Sequence, residues 1–253
     1  MSLTYLEFHL LFVLPPIALL AATSERLSRT ELSGLALMAA VAVVYTAPWD
    51  DYLVSLGVWR YGPGVVSARL GAVPVEEYLF FVLQPLLTGL WFHRVAPPLS
   101  GSPSRRGRTR LVGVACWIGV TLAGAALLTV PRGFYLGAIL VWAAPVVAFQ
   151  WAVGGPALWA HRRTVALAVG GPTLYLCTVD AVAISLGLWT ISPASSTGLS
   201  ILGLPVEEAV FFLLTNVLLV NGLLLFHWVL ARLATGERSR RRLALAGRGV
   251  RWR

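Results

Sequence analysis

Seven apolar stretches of 17 to 22 residues run through this 253-residue chain, near 3–22, 33–49, 78–96, 111–130, 134–151, 164–183 and 209–230. Crossing a hydrocarbon core of roughly 30 Å takes about 20 helical residues at about 1.5 Å each. Water is absent there, so each stretch must close its backbone hydrogen bonds within itself. The pattern predicts an all-α membrane protein of about seven transmembrane helices. Composition agrees: 57% of residues are hydrophobic and only 12% charged, where a soluble domain carries about 25% charge.

All 20 basic residues are arginine, and the net charge is +9. On a soluble protein that would suggest nucleic acid; here the distribution carries the meaning. With the loops assigned to alternate sides, one side holds only Arg60, Arg69 and Arg132, leaving 17 of the 20 on the other. The positive-inside rule then predicts the N-terminus outside and the C-terminus in the cytoplasm of an integral membrane protein. An odd helix count follows. The first residues lack a basic n-region, so the first apolar stretch is expected to stay in the protein. The arginine-rich tail, 231–253, reads as an anchor to anionic lipid headgroups, and nucleic acid is not an expected partner. Cys116 and Cys177 fall near opposite faces and read as small apolar core residues, not a disulfide or metal site.

The chain also repeats itself. A shift of 130 residues places Tyr5 on Tyr135, Pro15 on Pro145, Asp50 on Asp180, and Ser55-Leu56-Gly57-Val58-Trp59 on Ser185-Leu186-Gly187-Leu188-Trp189. One inserted residue later, Pro74-Val75-Glu76-Glu77 falls on Pro205-Val206-Glu207-Glu208, and Phe80-Phe81 on Phe211-Phe212. Matches in loops and helix ends cannot come from shared hydrophobicity. Each copy reads as three helices, with an Asp closing the second and Pro-Val-Glu-Glu opening the third. The span at 111–130 has no counterpart. It sets both copies in the same direction, as parallel repeats joined by a linker helix. The expected organisation is a first repeat at 1–96, a cytoplasmic linker and fourth helix at 97–132, a second repeat at 133–230, and the tail.

Most of the acidic residues sit where chemistry could use them. Asp50, Asp51, Asp180, Glu76, Glu77, Glu207 and Glu208 lie where apolar helices meet the arginine-poor side. The plain account of Pro followed by two glutamates is a helix start, with carboxylates facing the exposed N–H groups. Two features point beyond it. The motif recurs at equivalent positions, each time after an Asp and a Trp, and carboxylates set into a bilayer cost about 2.5–3.5 kcal/mol on insertion scales. Desolvation and a neighbouring carboxyl favour a neutral acid able to donate a proton. Adjacent glutamates point about 100° apart on a helix. One can therefore face a cavity while its neighbour meets a loop or another helix.

Aromatic residues surround these acids: Trp49, Trp59, Tyr61, Phe80, Phe81, Trp189, Phe211 and Phe212. Interfacial anchoring accounts for many membrane tryptophans. Ring faces also stabilise cations, most strongly in a dry site. Acids beside ring faces suit acid-catalysed rearrangement of an apolar polyene. No Gly-x-Gly-x-x-Gly follows a strand, so no flavin or nicotinamide site, and no other cofactor, is expected. His9, His93, His161 and His227 lie near span ends without zinc spacing and read as interfacial. No Asp-Asp-x-x-Asp motif is present to bind a magnesium diphosphate.

At these residues the sequence resembles the integral-membrane, flavin-independent lycopene cyclases of bacteria, archaea and fungi. The resemblance rests on Pro48-Trp49-Asp50, Gly57-x-Trp59-x-Tyr61 and Pro74-x-Glu76-Glu77-x-x-Phe80-Phe81. It continues in Asp180, Gly187-x-Trp189 and Pro205-x-Glu207-Glu208-x-x-Phe211-Phe212. It covers nearly the whole chain outside the tail. It implies conversion of the open ψ-ends of lycopene to β-rings without net redox change. An acid would protonate C2 and leave a cation at C1; the C5=C6 bond would attack it, and the C6 proton would then be lost. The six repeated acids would be catalytic and the eight aromatics would bind substrate, with no metal. Which glutamate is acid and which is base is open. The substrate would come from the bilayer, with membrane lipids and other carotenoid-pathway enzymes as expected partners. The second copy departs from the pattern: Thr178-Val179 stands for Pro48-Trp49, Ile191 for Tyr61, and Asn216 for Pro85. One asymmetric site between the copies and two separate sites are both open. A C50 or ε/γ-ring carotenoid cyclase would share these motifs. A small transporter with a carboxylate proton or cation relay is the alternative of another class.

Overall fold

The computed structural model describes residues 3–96 and 107–248, with side chains to residue 234. Seven helical rods follow in order: α1 (Tyr5–Thr23), α2 (Arg29–Ser55), α3 (Val75–Val95), α4 (Gly107–Leu127), α5 (Phe134–Ala160), α6 (Arg162–Ser185) and α7 (Val206–Arg248). Six of them are long and apolar enough to cross a membrane, which makes this an all-α protein of the membrane class. The remaining rod, α3, has 21 residues; Glu76, Glu77, Gln84, His93 and Arg94 make it more polar. It is also among the most buried, packing against α1, α2, α6 and α7. The last rod, α7, packs in turn on α5, α6, α2 and α3.

Local chemistry explains where the helices start and stop. Capping boxes open α1 and α2: Thr4 and Glu7 bond reciprocally, and so do Ser28 and Glu31. Glu7 and Glu31 thus have a structural task that sequence reading left blank. Both α2 and α6 end on a left-handed glycine, Gly57 at φ +69° and Gly187 at φ +73°. The next residue donates back into the helix, Val58 to Leu53 and Leu188 to Ala183, closing the last turn. Asp50 and Asp180 therefore do not close their helices, as the sequence reading had it; the helices run on to Ser55 and Ser185. Pro74 likewise precedes α3 as its N-cap rather than standing in the first turn.

Short strands are the element that hydropathy did not announce. Trp59–Tyr61 (β1) pairs antiparallel with Trp189–Ile191 (β4), Arg60 facing Thr190. Arg69–Leu70 (β2) pairs with Val73–Pro74 (β3), and Ser200–Ile201 (β5) with Leu204–Pro205 (β6). Hydrogen bonds recur at offsets of 130 or 131. Tyr5 N donates to Val65 O and Tyr135 N to Ser195 O; Gly62 N donates to Leu188 O and Ser192 N to Val58 O.

The fourth rod stands apart, packed on α5. Glycines allow the close approach: a Cβ on Gly124 would lie 2.7 Å from Leu140 Cβ, and one on Gly137 2.8 Å from Gly124 O. The expected linker reached residue 110, but α4 already begins at Gly107; 97–106 lie outside the described residues. The tail starts as a continuation of α7, which is helical to Arg248. Cys116 is exposed on α4 rather than part of a core.

Candidate active site

The Pro-x-Glu-Glu segments put their two glutamates to different uses. Glu76 Oε1 accepts from Ser67 N at 2.7 Å. Its counterpart Glu207 Oε1 accepts from Thr197 N at 2.6 Å and Thr197 Oγ1 at 2.7 Å. Each thus pins the loop that precedes its own helix. One position further on, Glu77 and Glu208 turn inward. They share a single cavity with Asp50 and Asp180, so four carboxyl groups from α3, α7, α2 and α6 converge. Asp51, next to Asp50, faces the other way and accepts from Ala72 N at 2.6 Å, holding the β2–β3 turn.

Tyrosines and tryptophans address these acids. Tyr135 Oη donates to Glu208 Oε1 at 2.8 Å. Tyr61 Oη donates to Glu77 Oε2 at 3.1 Å and accepts from Trp59 Nε1 at 2.9 Å. The Tyr5 hydroxyl also lies within hydrogen-bonding reach of Glu77. Trp189 Nε1 donates to Asp180 Oδ1 at 3.0 Å. Burial, then the neighbouring Glu77 charge, push the Tyr61 hydroxyl well above the usual phenol range. It therefore stays protonated and acts as a donor. Trp59 and Trp189 are buried, so neither is an interfacial anchor. Asp50 Oδ2 and Asp180 Oδ2 are buried without a partner among the described residues. Glu76 Oε2 and Glu207 Oε2 share this state, so it is their place in the common cavity that sets Asp50 and Asp180 apart.

Apolar and aromatic groups complete the wall. Of the aromatics singled out in the sequence, Trp49, Trp59, Tyr61, Phe80, Trp189, Phe211 and Phe212 line the cavity. Phe81 does not; it faces a separate crevice one turn deeper, beside Gln84 and Pro85. Trp49 lies parallel to Phe211, centroids 5.9 Å apart with 1° between planes, and stacks on Trp142 at 4.7 Å. The cavity combines proton-exchanging carboxyls with ring faces and a mainly hydrocarbon lining. It can protonate an apolar molecule, shield the resulting cation and take a proton back.

Sequence reading passed over three residues here. Tyr5 and Tyr135 were aligned as equivalents, yet not read as partners of the second glutamates. Their signal was the tyrosine preserved at the start of both first helices. His9 was expected at an interface. Instead it is fully buried in a π-helical segment, His9–Val13, stacked on Tyr5 at 4.6 Å and 6.0 Å from Phe80. Both its ring nitrogens lack partners among the described residues. Such π-helical segments are frequent at functional sites, but no residue in His9-Leu10-Leu11-Phe12-Val13 announces one. His93 and His161 do lie at helix ends, His93 with Glu31 at 3.5 Å, whereas His227 lies midway along α7.

Comparisons with known proteins agree with this chemistry. The profile of a family described as lycopene cyclase matches residues 2–95 and 132–229, leaving out α4 and the segment before it. A lycopene beta-cyclase of Halobacterium salinarum is 45% identical over 237 residues, spanning 92% of this chain and 99% of that protein. A bifunctional lycopene cyclase/phytoene synthase of Gibberella fujikuroi is 35% identical over 88% of this chain, which spans 40% of the fungal protein's length. No solved structure matches. With the family profile covering most of its length and a near-full-length relative at 45% identity, the chain belongs to the lycopene cyclase family.

Proposed function

We propose that this enzyme is a lycopene β-cyclase that closes one ψ-end at a time in the cavity between its two halves. The observation that carries the reading is the convergence of Glu77, Glu208, Asp50 and Asp180 on one aromatic-walled space. Proton addition at C2 of the end group leaves a tertiary cation at C1. The C5=C6 π pair bonds to C1, moving the positive charge to C5, and loss of the C6 proton forms the C5=C6 bond of the β-ring. One proton enters and one leaves, so no electron carrier is required. Repetition at the other end takes lycopene through γ-carotene to β-carotene.

Hydrogen-bond donors divide the labour between the glutamates. Tyr61 and Tyr5 converge on Glu77, while Tyr135 addresses Glu208. Donors aimed at a carboxyl favour its ionised form. We therefore assign Glu77 as the base that accepts the C6 proton and Glu208 as the acid. Ile191 in place of a second tyrosine creates this difference. Trp49, Trp59, Phe80, Phe211 and Phe212 supply ring faces for the cation. Glu76 and Glu207 position the acids by holding their loops.

The same reading takes α3 as a seventh span, with two parallel three-helix units flanking the site and α4 joining them. The N-terminus is then outside, with the linker and tail on the arginine-rich cytoplasmic side among anionic lipids. A reporter after residue 253 should read cytoplasmic and one near residue 196 external; the reverse would overturn the orientation. The function itself is tested in a lycopene-accumulating host. Bicyclic β-carotene, with γ-carotene appearing first, is expected. Unchanged lycopene despite membrane-inserted protein would reject the activity, and ε-rings would reject the assigned proton loss.

A further inference from the structure

The fourth rod has no counterpart in the repeat and lies outside the family match, so the cyclase reading gives it no task beyond joining the halves. It packs on α5, and a groove of about 710 Å³ opens between the two at the Gly107 end. The opening has a local cause. Helical geometry lapses in α5 at Gly154 (φ −140°, ψ 27°), and Pro156, two residues on, has no N–H to offer Ala152 O. Arg110 Nη2 holds the bend by donating to Val153 O at 3.2 Å. Trp151 lines the groove where it packs directly on Gly113; a Cβ on Gly155 would lie 2.9 Å from its ring. The lining changes in character along α4. Arg108 and Thr109 stand at the Gly107 end, whereas Val112, Cys116 and Trp117 carry the groove into the span. Gly107 to Trp117 is 10 residues, about 15 Å of helix. Trp159 borders it from α5, with the Arg162 guanidinium 5.1 Å over its ring. No Asp or Glu lines the groove, and none occurs in the sequence between Glu77 and Asp180. Among the described residues neither Arg108 nor Arg162 forms an ion pair. Val112 and Trp159 are about half exposed, so the groove is open to its surroundings.

We propose that this groove binds one anionic phospholipid, its phosphate at Arg108 and an acyl chain laid along Val112, Cys116 and Trp117. Arg162 adds to the positive field from beside Trp159. The charged end calls for an anion, and guanidinium groups hold phosphate through charge-assisted hydrogen bonds. The apolar length beyond it calls for a hydrocarbon chain, and a lipid of this class joins both in one molecule. A free anion makes no use of the apolar length, and an uncharged polyene makes none of the arginines. A zwitterionic lipid brings a quaternary ammonium against the guanidinium groups, where no carboxylate receives it. The bound lipid clamps α4 to α5, the helix that carries Tyr135 and Trp142 to the chamber. In the orientation proposed above the leaflet is the cytoplasmic one; the site itself rests only on the α4–α5 groove.

The test releases the full-length protein from nanodiscs of equal parts phosphatidylglycerol and phosphatidylcholine for native mass spectrometry. Wild type should retain phosphatidylglycerol at least fivefold more often than phosphatidylcholine. Arg108→Gln should hold one phosphatidylglycerol fewer, and so should Cys116→Trp, which fills the apolar part of the groove. Arg132→Gln, at the other end of α4, and Leu122→Trp, on its exposed face, should match wild type. Melting temperature gives a second readout, because a ligand held by the folded state stabilises it. Wild type should melt higher in phosphatidylglycerol than in phosphatidylcholine, and Arg108→Gln should narrow that difference. Equal retention of the two lipids by wild type, or an unchanged lipid count in Arg108→Gln, would overturn the proposal. So would a wild-type mass of bare chain or of a lipid-free dimer, which would mean that the chain itself or a second copy covers the groove. Arg108 is exposed, so its variant decides the matter even where Cys116→Trp fails to insert. None of these readouts depends on cyclase activity.

Discussion

Gln84 donates from Nε2 to Thr215 Oγ1 at 2.7 Å, and these two residues occupy equivalent positions, 131 apart, on α3 and α7. Residues related by the repeat also face each other at the other end of the site, where Arg60 stands opposite Thr190. Equivalent groups can touch only near the axis that relates the two halves. The carboxyl chamber lies between these two contacts. Its position explains why acids from both halves meet in one space.

The Gln84–Thr215 bond is buried, so its two ends are not independent. Gln84→Leu leaves the Thr215 hydroxyl its bond to Phe211 O at 2.9 Å and should cost less than Thr215→Val, which strands the Gln84 amide at about 1–3 kcal/mol. The double variant should cost less than the sum of the two, because neither partner is then left unmatched. Thermal unfolding of the four proteins in one detergent measures the coupling; strict additivity would show that the bond does not form.

The two glutamates of each pair should separate by phenotype. Glu77→Gln and Glu208→Gln remove the exchangeable proton inside the chamber and should lower turnover by about 10²–10⁴-fold while folding normally. Glu76→Ala and Glu207→Ala release the Ser67 and Thr197 loops instead. They should lower stability by about 1–2 kcal/mol and leave measurable turnover. Pigment analysis set beside melting curves distinguishes the classes. Equal turnover loss in all four at wild-type stability would contradict the division.

Hydropathy alone was enough to find the rods, because lipid forces helix wherever the chain is apolar, and the arginine-poor loops marked the side bearing the acids. The repeat carried further: Asp50, Asp180, Glu77 and Glu208 were all in view before their convergence was. Helix ends were less legible, since the Gly57 and Gly187 turns extend α2 and α6 past the polar residues that hydropathy reads as boundaries. The β1–β4 pairing was invisible, because it is long-range and each strand has only three residues. His9 and the crevice were hidden for a similar reason: packing makes them, and no local pattern does. The asymmetry of the site was visible as Tyr61 against Ile191, although its meaning required the Tyr61–Glu77 bond.

Leu202 is the described non-glycine residue with positive φ, at 52°, and its side chain is 98% exposed. The equivalent position in the first half is Gly71, at φ +70°. A β-branched or long side chain in that region costs roughly 1–2 kcal/mol, and Leu202 makes no compensating burial. Leu202→Gly should therefore raise the melting temperature without changing turnover, the gain being reduced by glycine's greater freedom in the unfolded chain. A lower melting temperature would show that Leu202 makes a contact with the lipid surface that outweighs the strain.

The source and fate of the protons give the most direct test of the mechanism. Purified enzyme supplied with lycopene, and with no flavin or nicotinamide, should form rings, since proton addition at C2 and proton loss at C6 balance without electron transfer. In D₂O the carboxyl of Glu208 exchanges, so each new ring should carry one deuterium at the former C2, and β-carotene should carry two. Recovered γ-carotene should carry one, which also shows that the ends react in turn. Glu77→Gln removes the assigned base but leaves the acid, so the small residual product should shift toward rings that have lost the C4 proton. Glu208→Gln should slow the reaction without altering ring type. Mass spectrometry and chromatography of the pigments read both effects. Deuterium-free rings, or a requirement for reduced flavin, would sink the acid mechanism even if the product were β-carotene.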